Sequence, residues 1–181
     1  MGSRDIHLVT TTETGTQTLG TLLGKHLYGG DCIALIGELG TGKTCLVKGI
    51  ALGLEVPQET CVRSPTFVLL HTYLGRSPLF HVDLYRIANS SEIEDLDYRE
   101  ILYGQGVAVV EWAEKILGYL PNEHLRIYFN HRDEETREIR LIPFGNHYEL
   151  LLEELDKDLE RLCSGSGFPQ IPCNLLSRIS S

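Results

Sequence analysis

The chain has 181 residues, the size of one ordinary domain, and its 25 acidic residues against 16 lysines and arginines give a formal net charge of −9. This charge disfavours nucleic-acid binding through a broad cationic face, so any contact with RNA is expected through a partner. The five cysteines are odd in number without a C-x-x-C pair, and no run approaches the roughly 18 apolar residues of a membrane span, which together predict a cytoplasmic protein with reduced thiols and no membrane association.

The first half of the chain alternates runs of strand and helix character. In chain order the pattern predicts a strand at 6–9, a helix at 14–27, a strand at 32–36, a helix at 43–54 and β-rich runs at 66–74 and 79–85. The two β-rich runs flank a Gly-Arg-Ser-Pro segment at 75–78, whose composition is typical of a turn. We therefore expect an antiparallel hairpin there.

The second half adds further strands and helices. The pattern predicts one or two short helices at 91–102, an apolar strand at 106–110, strands at 125–129 and 138–142, a helix from Asn146 onward and a weakly ordered tail at 164–181. The run at 106–110 is typical of a strand buried on both faces and is expected beside the strand at 32–36. The pair at 125–129 and 138–142 flanks a polar turn and is expected to form a second hairpin. The sequence thus predicts one α/β domain over 1–163, a three-layer fold with a mixed central sheet flanked by helices.

The helix that begins near Asn146 has an amphipathic pattern. Its apolar stripe consists of Leu151, Leu155, Leu159 and Leu162. Acidic residues cover the other faces. The stripe either packs against the parent domain, which the pattern favours, or binds a partner.

A phosphate-loop motif occupies residues 37–44. Its residues Gly-Glu-Leu-Gly-Thr-Gly-Lys-Thr fit the pattern G-x-x-x-x-G-K-[ST] at every fixed position, between a predicted strand and a predicted helix. The glycines let such a loop turn its N–H groups toward phosphates, and the helix N-terminus that follows favours anions. Lys43 is expected to reach the β- and γ-phosphates, and Thr44 to place its hydroxyl on Mg²⁺. The sequence therefore predicts a nucleoside triphosphate site in a P-loop NTPase fold.

Two carboxylates at the ends of apolar runs are candidates for hydrolysis, which needs groups that hold Mg²⁺ and position water. Asp83 follows the run at 79–82, and Glu111 follows the run at 107–110. Ligands of open α/β sheets bind at the carboxyl ends of strands, which favours both residues. Each could instead cap the turn that follows it. His81 either joins the site or is a hydrogen-bonded structural histidine.

The segment 62–67 connects the phosphate-loop helix region to the first hairpin. It contains the hydroxyls of Ser64 and Thr66, which are candidates for sensing Mg²⁺ or the γ-phosphate as switch loops do. Pro65 between them equally fits an ordinary strand entry, so both interpretations stay open.

Three large side chains near these motifs have open roles. Arg63 and Arg86 are possible phosphate or partner contacts, although most surface arginines are solvated. Trp112, the only tryptophan, either touches the nucleotide or fills the core, and its sequence position alone favours the core.

The order of these motifs resembles the TsaE (formerly YjeE) family, the small ATPases of bacterial and organellar tRNA threonylcarbamoyladenosine synthesis. The matching strings are Thr-Gln-Thr-Leu-Gly at 16–20, the phosphate loop at 37–44, Ser-Pro-Thr-Phe at 64–67, His-Val-Asp-Leu-Tyr-Arg at 81–86 and Glu-Trp at 111–112. With the final hairpin they cover roughly residues 6–143, and their order and spacing are hard to produce by chance. The stretch after Gly145 extends past the typical family end, so the resemblance leaves its role open.

The resemblance implies an ATPase, active mainly when docked on the TsaB–TsaD complex, in which TsaD transfers the threonylcarbamoyl group to the adenosine beside the tRNA anticodon. tRNA would be contacted only indirectly, through that complex. The implied cofactors are ATP and Mg²⁺, with Thr44 and Glu111 as the metal ligands. The implied catalytic residues are Asp83, Glu111 and Lys43. The candidate nucleotide contacts from the motif and the resemblance are Thr16, Gly37, Glu38, Leu39, Gly40, Thr41, Gly42, Lys43, Thr44, Cys45 and Trp112.

Two other functions stay open from the sequence. A P-loop small-molecule kinase would pass the γ-phosphate to a bound acceptor, but such kinases usually have an arginine-rich lid, and the stretch 84–110 contains only Arg86 and Arg99. A nucleotide-gated binding module with negligible turnover is the third possibility. A GTPase is disfavoured because no Asn-Lys-x-Asp string occurs.

Overall fold

A mixed β-sheet with helices on both faces makes up the computed structural model, which describes residues 5–88, 90–95, 97–133, 136–163 and 176–178. The strands are β1 (Ile6–Thr10), β2 (Cys32–Ile36), β3 (Leu70–Tyr73), β4 (Leu79–Asp83), β5 (Val107–Glu111), β6 (His124–His131), β7 (Arg137–Phe144) and β8 (Leu176–Arg178). The helices are α1 (Glu13–His26), α2 (Lys43–Gly53), α3 (Tyr98–Tyr103) and α4 (Asn146–Cys163), with 3₁₀ helices at Ser90–Asp95 and Ala113–Tyr119.

The eight strands form one sheet in the order β3-β4-β5-β2-β6-β7-β1-β8. The central strands β4, β5, β2 and β6 run parallel to one another. The outer strands β3, β7, β1 and β8 pair with their neighbours in antiparallel fashion. The predicted mixed sheet, both hairpins and the place of β5 beside β2 are therefore confirmed. Because the central strands are parallel, their carboxyl ends meet at one edge of the sheet, where ligands bind in open α/β folds.

Two apolar cores lie on the two faces of the sheet, as the alternation of side chains along β2 illustrates. Ile33 and Leu35 point into a core shared with α1, α2 and α4. Cys32 and Ala34 point into a second core covered by α3 and the 3₁₀ helices. Helices therefore cover both faces, as predicted, and β2 is buried on both sides.

Helix α4 packs its apolar stripe against the domain. Leu151, Leu155 and Leu159 are buried in the core that also contains α1. The hydroxyl of Tyr148 accepts a hydrogen bond from the backbone N–H of Cys32 at 2.7 Å, so the start of α4 is fixed to the start of β2. The interpretation that the predicted stripe packs on the parent domain is confirmed.

Helices α1 and α2 cross at a glycine contact that brings their backbones together. Gly20 and Gly24 of α1 face Gly49 and Gly53 of α2. A methyl group added at Gly49 would lie 2.1 Å from the carbonyl oxygen of Gln17, and one at Gly20 would lie 2.3 Å from that of Leu46. The crossing holds the start of α1 beside the phosphate loop.

Strand β8 is an element that the sequence does not predict. Leu8, Val9 and Thr10 of β1 pair with it in antiparallel register. The other residues of the predicted tail lie outside the described residues, so the boundary after residue 163 stays a prediction. In the part of the chain that the structure covers, no helix has the length and apolar character to cross a membrane.

Candidate nucleotide-binding site

The phosphate loop leaves β2 at its carboxyl end and enters α2. Gly37, Gly40 and Gly42 have φ angles of 149°, 80° and 102°, which lie in the region that side chains rarely adopt. Gly37 also lies against β6, where an added methyl group would be 2.6 Å from the carbonyl oxygen of Phe129. These backbone angles and the close approach to β6 are the structural reasons for glycine at these positions, and the predicted contact of the loop N–H groups with phosphates stays a prediction.

Lys43 is buried at the start of α2 and turns its ammonium group back into the loop. Its Nζ donates to the carbonyl oxygens of Gly37 at 2.6 Å and Glu38 at 2.7 Å. The same Nζ lies 4.3 Å from the centroid of the Trp112 ring. Burial lowers the pKa of Lys43 below its ordinary value, and nearby carboxylates oppose that effect. The loop thus holds its own cation, the one that the motif predicts for phosphate binding.

The carboxylate of Glu111 is held from two sides. Thr44 Oγ1 donates to Glu111 Oε1 at 2.8 Å, and His81 Nε2 contacts the same oxygen at 2.8 Å. Because a carboxylate oxygen accepts hydrogen bonds, we assign the proton of this contact to His81 Nε2. Both His81 and Glu111 are buried. The predicted metal ligands, Thr44 and Glu111, are therefore in contact, and His81 orients the carboxylate.

Asp83 is capped by the segment 62–67, for which the sequence leaves open a switch loop and an ordinary strand entry. Its Oδ2 accepts hydrogen bonds from Ser64 Oγ and from Thr66 Oγ1, the latter at 2.7 Å. Its Oδ1 accepts from the backbone N–H of Tyr85 at 2.9 Å. Asp83 and Glu111 are directly paired at the ends of the parallel strands β4 and β5. The two candidate carboxylates therefore lie side by side, and both oxygens of Asp83 are engaged.

The turn that follows Asp83 is fixed by one lysine. Lys115 Nζ donates to the backbone carbonyl oxygens of Leu84 at 2.9 Å, Tyr85 at 2.6 Å and Ile87 at 2.7 Å.

The ring of Tyr85 packs against Trp112, with 5.2 Å between the centroids. Trp112 itself has a φ of 61°, a strained angle for a bulky residue. These contacts place the indole on the wall of the site, although part of it also packs against the second core.

A cleft of about 370 Å³ lies between the loop and the two carboxylates. This volume is in the range of pockets for small molecules, roughly 300–1,000 Å³. Lys43, Thr44, Asp83 and Glu111 line it. The hydroxyl of Thr44 and the carboxylate of Glu111 are hard oxygen donors, which fit Mg²⁺, an ion usually bound by one or two carboxylates together with substrate phosphates.

Some of the remaining predicted nucleotide contacts line the cleft, and others do not. Leu39, Gly40, Gly42 and Cys45 line the cleft. Cys45 Sγ donates to the carbonyl oxygen of Glu13 at 3.2 Å, and burial raises the pKa of its thiol.

Two predicted contacts, Thr41 and Thr16, do not line the cleft. Thr41 is buried and donates its hydroxyl to the carbonyl oxygen of Glu38 at 2.8 Å. Thr16 is also buried, and its hydroxyl contacts that of Thr10 at 2.8 Å. Their roles as nucleotide contacts stay predictions.

Some residues of the site are not identified by the sequence. Glu13, Lys48 and Tyr85 line the cleft, and Arg137 of β7 packs on Gly42, with its Cδ and Nε 3.2 Å from where a methyl group would be. Lys48 lies four positions after Thr44 on a predicted helix, so helical spacing could have placed it beside the loop. Glu13 and Arg137 reach the site only through tertiary packing, for which the sequence has no local signal.

The fold and this site define a P-loop protein of the α/β class. Residues 10–139 match the family described as "Threonylcarbamoyl adenosine biosynthesis protein TsaE". The tRNA threonylcarbamoyladenosine biosynthesis protein TsaE of Bacillus subtilis is 41% identical over 143 residues, which cover 78% of this chain and 88% of that protein. The protein of the same name from Treponema pallidum is 42% identical over 124 residues, which cover 68% of this chain and 90% of that protein.

A solved structure agrees with these relatives. The crystal structure of Bacillus subtilis YdiB superposes with a TM-score of 0.76 at 34% identity, over 87% of this chain and 98% of that chain. The chain therefore belongs to the TsaE family, whose description places it in threonylcarbamoyladenosine biosynthesis. This confirms the resemblance seen in the motifs.

Proposed function

We propose that this protein hydrolyses ATP with Mg²⁺ in the cleft beside the phosphate loop, and that hydrolysis supports threonylcarbamoyladenosine formation by acting on the TsaB–TsaD complex. The observation that carries the ATPase proposal is the contact of Thr44 Oγ1 with Glu111 Oε1, at 2.8 Å. It joins a loop hydroxyl and a strand carboxylate in one set of oxygen donors. Membership of the TsaE family supports the pathway.

Binding begins with the phosphate loop. Its backbone N–H groups and the N-terminus of α2 attract the phosphates. Lys43 Nζ donates to the carbonyl oxygens of Gly37 and Glu38 at 2.6 and 2.7 Å. When ATP binds, Lys43 gives up these two hydrogen bonds and donates to phosphate oxygens instead. This exchange is favourable because a phosphate carries full negative charge and a carbonyl only a partial one.

Thr44 and Glu111 would hold Mg²⁺, and His81 keeps the Glu111 carboxylate in place through Oε1. When bound, Mg²⁺ neutralises the charge that develops on the β- and γ-phosphate oxygens. Positioning of a metal carboxylate by a buried partner is a common source of metal affinity.

Asp83 then positions the attacking water by accepting a hydrogen bond from it. The water oxygen adds to the γ-phosphorus, the bond from phosphorus to the bridging oxygen breaks with its electron pair going to ADP, and the proton that the water loses passes to an oxygen of the released phosphate. Asp83 Oδ2 accepts from Ser64 and Thr66, so a water binds to this oxygen only after these hydroxyls leave it. Hydrolysis by the isolated protein should therefore be slow, and a docked partner that moves the capping segment should accelerate it.

Phosphate release from ATP, measured with and without the TsaB–TsaD complex and with candidate small-molecule acceptors, tests the proposal. We expect slow release that rises with the complex and needs no acceptor. Lys43→Ala, which removes the loop cation, should abolish both binding by calorimetry and release. A phosphorylated acceptor without free phosphate would identify a kinase, and ATP binding without release under every condition would identify a binding module.

A further inference from the structure

Three backbone carbonyl oxygens in the turn after β4 converge on one side-chain ammonium. The half-buried Lys115 donates from Nζ to all three. The accepting oxygens, which we name the carbonyl cage, belong to Leu84 at 2.9 Å, Tyr85 at 2.6 Å and Ile87 at 2.7 Å. A lysine ammonium has three N–H donors and no acceptor, so its donors equal these acceptors in number. Groups of backbone carbonyl oxygens are also how proteins replace the water shell of a monovalent cation.

The turn that carries the carbonyl cage also holds Asp83. The N–H of Tyr85 donates to Asp83 Oδ1 at 2.9 Å. The N–H of Ile87 closes the turn on the carbonyl oxygen of Leu84 at 3.0 Å. Lys115 therefore fixes the carbonyl groups of the turn, and an N–H group of the same turn fixes one oxygen of the carboxylate. A shift of the turn becomes a shift of Asp83.

Lys115 also belongs to the segment that follows the other carboxylate of the site. It lies four positions after Glu111, in the 3₁₀ helix Ala113–Tyr119. Its backbone N–H donates to the carbonyl oxygen of Trp112 at 3.2 Å. In the opposite direction, the N–H of Leu84 donates to the carbonyl oxygen of Glu111 at 3.2 Å. The residues that follow the two carboxylates are thus joined by a backbone hydrogen bond and by the Lys115 side chain.

We propose that Lys115 is a positioning residue for hydrolysis: its ammonium acts as a tethered monovalent cation in the carbonyl cage and fixes the Asp83 carboxylate relative to Glu111. This inference rests on the proposed function, in which Asp83 positions the attacking water, and adds the residue that sets the geometry of that carboxylate. Lys115 does not line the cleft, so it acts through the turn and not on the nucleotide.

Turnover and nucleotide affinity should separate in Lys115→Met, which removes the ammonium and retains an unbranched apolar side chain. We would measure phosphate release from ATP, with and without the TsaB–TsaD complex, and ATP affinity by calorimetry, on the full-length protein. We expect release to fall by about 30-fold or more and affinity to change by less than about threefold, because the loop binds the phosphates and only the carboxylate is misplaced. Lys157→Met is the matched control, since Lys157 is exposed on α4 in an ion pair with Glu154, and it should leave both quantities unchanged.

A double-variant cycle tests whether Lys115 acts through Asp83. Asp83→Asn alone removes the charge of the carboxylate. If Lys115 serves only to position that carboxylate, Asp83→Asn with Lys115→Met should release phosphate as slowly as Asp83→Asn alone. The Mg²⁺ requirement of Lys115→Met should stay that of wild type, because Thr44 and His81 hold Glu111 independently of the turn. Fully additive losses would place the effect of Lys115 elsewhere and overturn the inference.

Chemical rescue tests the cation itself. Lys115→Ala opens the carbonyl cage, and n-propylammonium chloride supplies a charged group with three N–H donors. Tetramethylammonium chloride at the same concentration has the same charge and no N–H donor, so it is the matched control. We expect propylammonium to restore phosphate release by about tenfold or more and tetramethylammonium to leave it unchanged. An equal response to the two salts, or a response to neither, would overturn the role of the cation.

Two measurements keep the test independent of folding and of turnover. Lys115→Arg retains the charge, but its planar guanidinium does not direct three donors from one atom, so it should melt as wild type does and still lose turnover. Native-state hydrogen exchange at the N–H of Tyr85 should be faster in Lys115→Met, while the amides of α1 keep their protection. Unchanged exchange at Tyr85 would show that Lys115 does not fix the turn.

Failure of this inference and failure of the proposed function give different results. If wild type releases phosphate and Lys115→Met releases it at the same rate, the inference is wrong and the proposed function stands. If wild type releases no phosphate under any condition, the proposed function is wrong and the inference falls with it. Normal turnover of Asp83→Asn would remove the role of Asp83 and, with it, the role proposed for Lys115.

Discussion

Thr44 and Glu111 are 67 positions apart in the chain, yet the hydroxyl of the first donates to the carboxylate of the second at 2.8 Å. The contact joins the first turn of α2 to the carboxyl end of β5, which pairs with β2 in parallel register. His81, on the neighbouring strand β4, holds the same carboxylate oxygen. Three elements therefore converge on one buried carboxylate. Removal of its charge is a direct test of the site.

Glu111→Gln retains the shape of the side chain and removes its charge. We expect Mg²⁺-dependent phosphate release to fall by at least about 100-fold, which corresponds to roughly 3 kcal/mol of lost transition-state stabilisation. Circular dichroism should show a retained fold. Glu153→Gln, on an exposed position of α4, is the matched control. Near-normal turnover of Glu111→Gln would leave Glu111 with a structural role only.

His81→Phe tests whether the histidine positions the metal carboxylate. The substitution fills a similar volume but removes the contact with Glu111 Oε1. We expect the Mg²⁺ concentration that half-saturates nucleotide binding to rise about tenfold or more, the usual effect of losing a partner of a metal ligand. His81→Gln, which retains an N–H donor, should recover part of the loss.

The control for this series is His7→Phe, the same change on β1. Calorimetric titration with Mg²⁺ at fixed ATP gives the readout without relying on turnover. An unchanged Mg²⁺ requirement in His81→Phe would show that the contact with Glu111 has no part in holding the metal.

Trp112 should report the movement of Lys43. The ammonium lies 4.3 Å from the ring centroid, and phosphates would draw it toward themselves. Because the chain has a single tryptophan, we expect ATP to change its fluorescence with the same midpoint as calorimetry. Lys43→Met should have a different tryptophan emission spectrum before ATP is added, and ATP at these concentrations should not change that spectrum. A flat wild-type titration under conditions of proven binding would limit Trp112 to a packing role.

Local patterns were sufficient to predict the centre of this fold. The run Cys32–Ile36, the glycines of the loop and the helix that begins at Lys43 are neighbours in sequence, so their conformations follow from their own side chains. The positions of Asp83 and Glu111 also followed, because both end apolar strands and parallel strands align their carboxyl ends.

Contacts made by distant segments were not predictable in the same way. The three hydrogen bonds of Lys115 go to backbone carbonyl oxygens, which any sequence offers at every position. Strand β8 contributes only Leu176–Arg178, a segment too short to show a period. The capping of Asp83 by Ser64 depends on how segment 62–67 folds back on β4, and hydroxyls in a loop have many possible partners.

The crossing of α1 and α2 is a second such long-range contact, and it predicts a stability effect. In Gly49→Ala the new methyl group would lie 2.1 Å from the carbonyl oxygen of Gln17, a backbone atom that does not move aside cheaply. We expect a loss of about 3 kcal/mol in the free energy of unfolding by urea titration. For Gly118→Ala, where nothing lies within 4 Å of the new methyl group, we expect a change within about 0.5 kcal/mol. Equal free energies of unfolding for the two variants would show that α1 and α2 can move apart at this crossing with no loss of stability.

The response to RNA separates a partner-dependent ATPase from an RNA-dependent one. A chain with a formal charge of −9 should repel tRNA phosphates, so tRNA alone should leave ATP hydrolysis unchanged. The TsaB–TsaD complex should accelerate hydrolysis, because Asp83 is capped by Ser64 and Thr66 until the segment moves, and misplacement by about an ångström can lower a rate 100-fold. Phosphate release would be assayed with tRNA, with the complex and with both, at two salt concentrations. Stimulation by bare tRNA and none by the complex would replace the partner-dependent mechanism with a self-contained RNA-dependent ATPase.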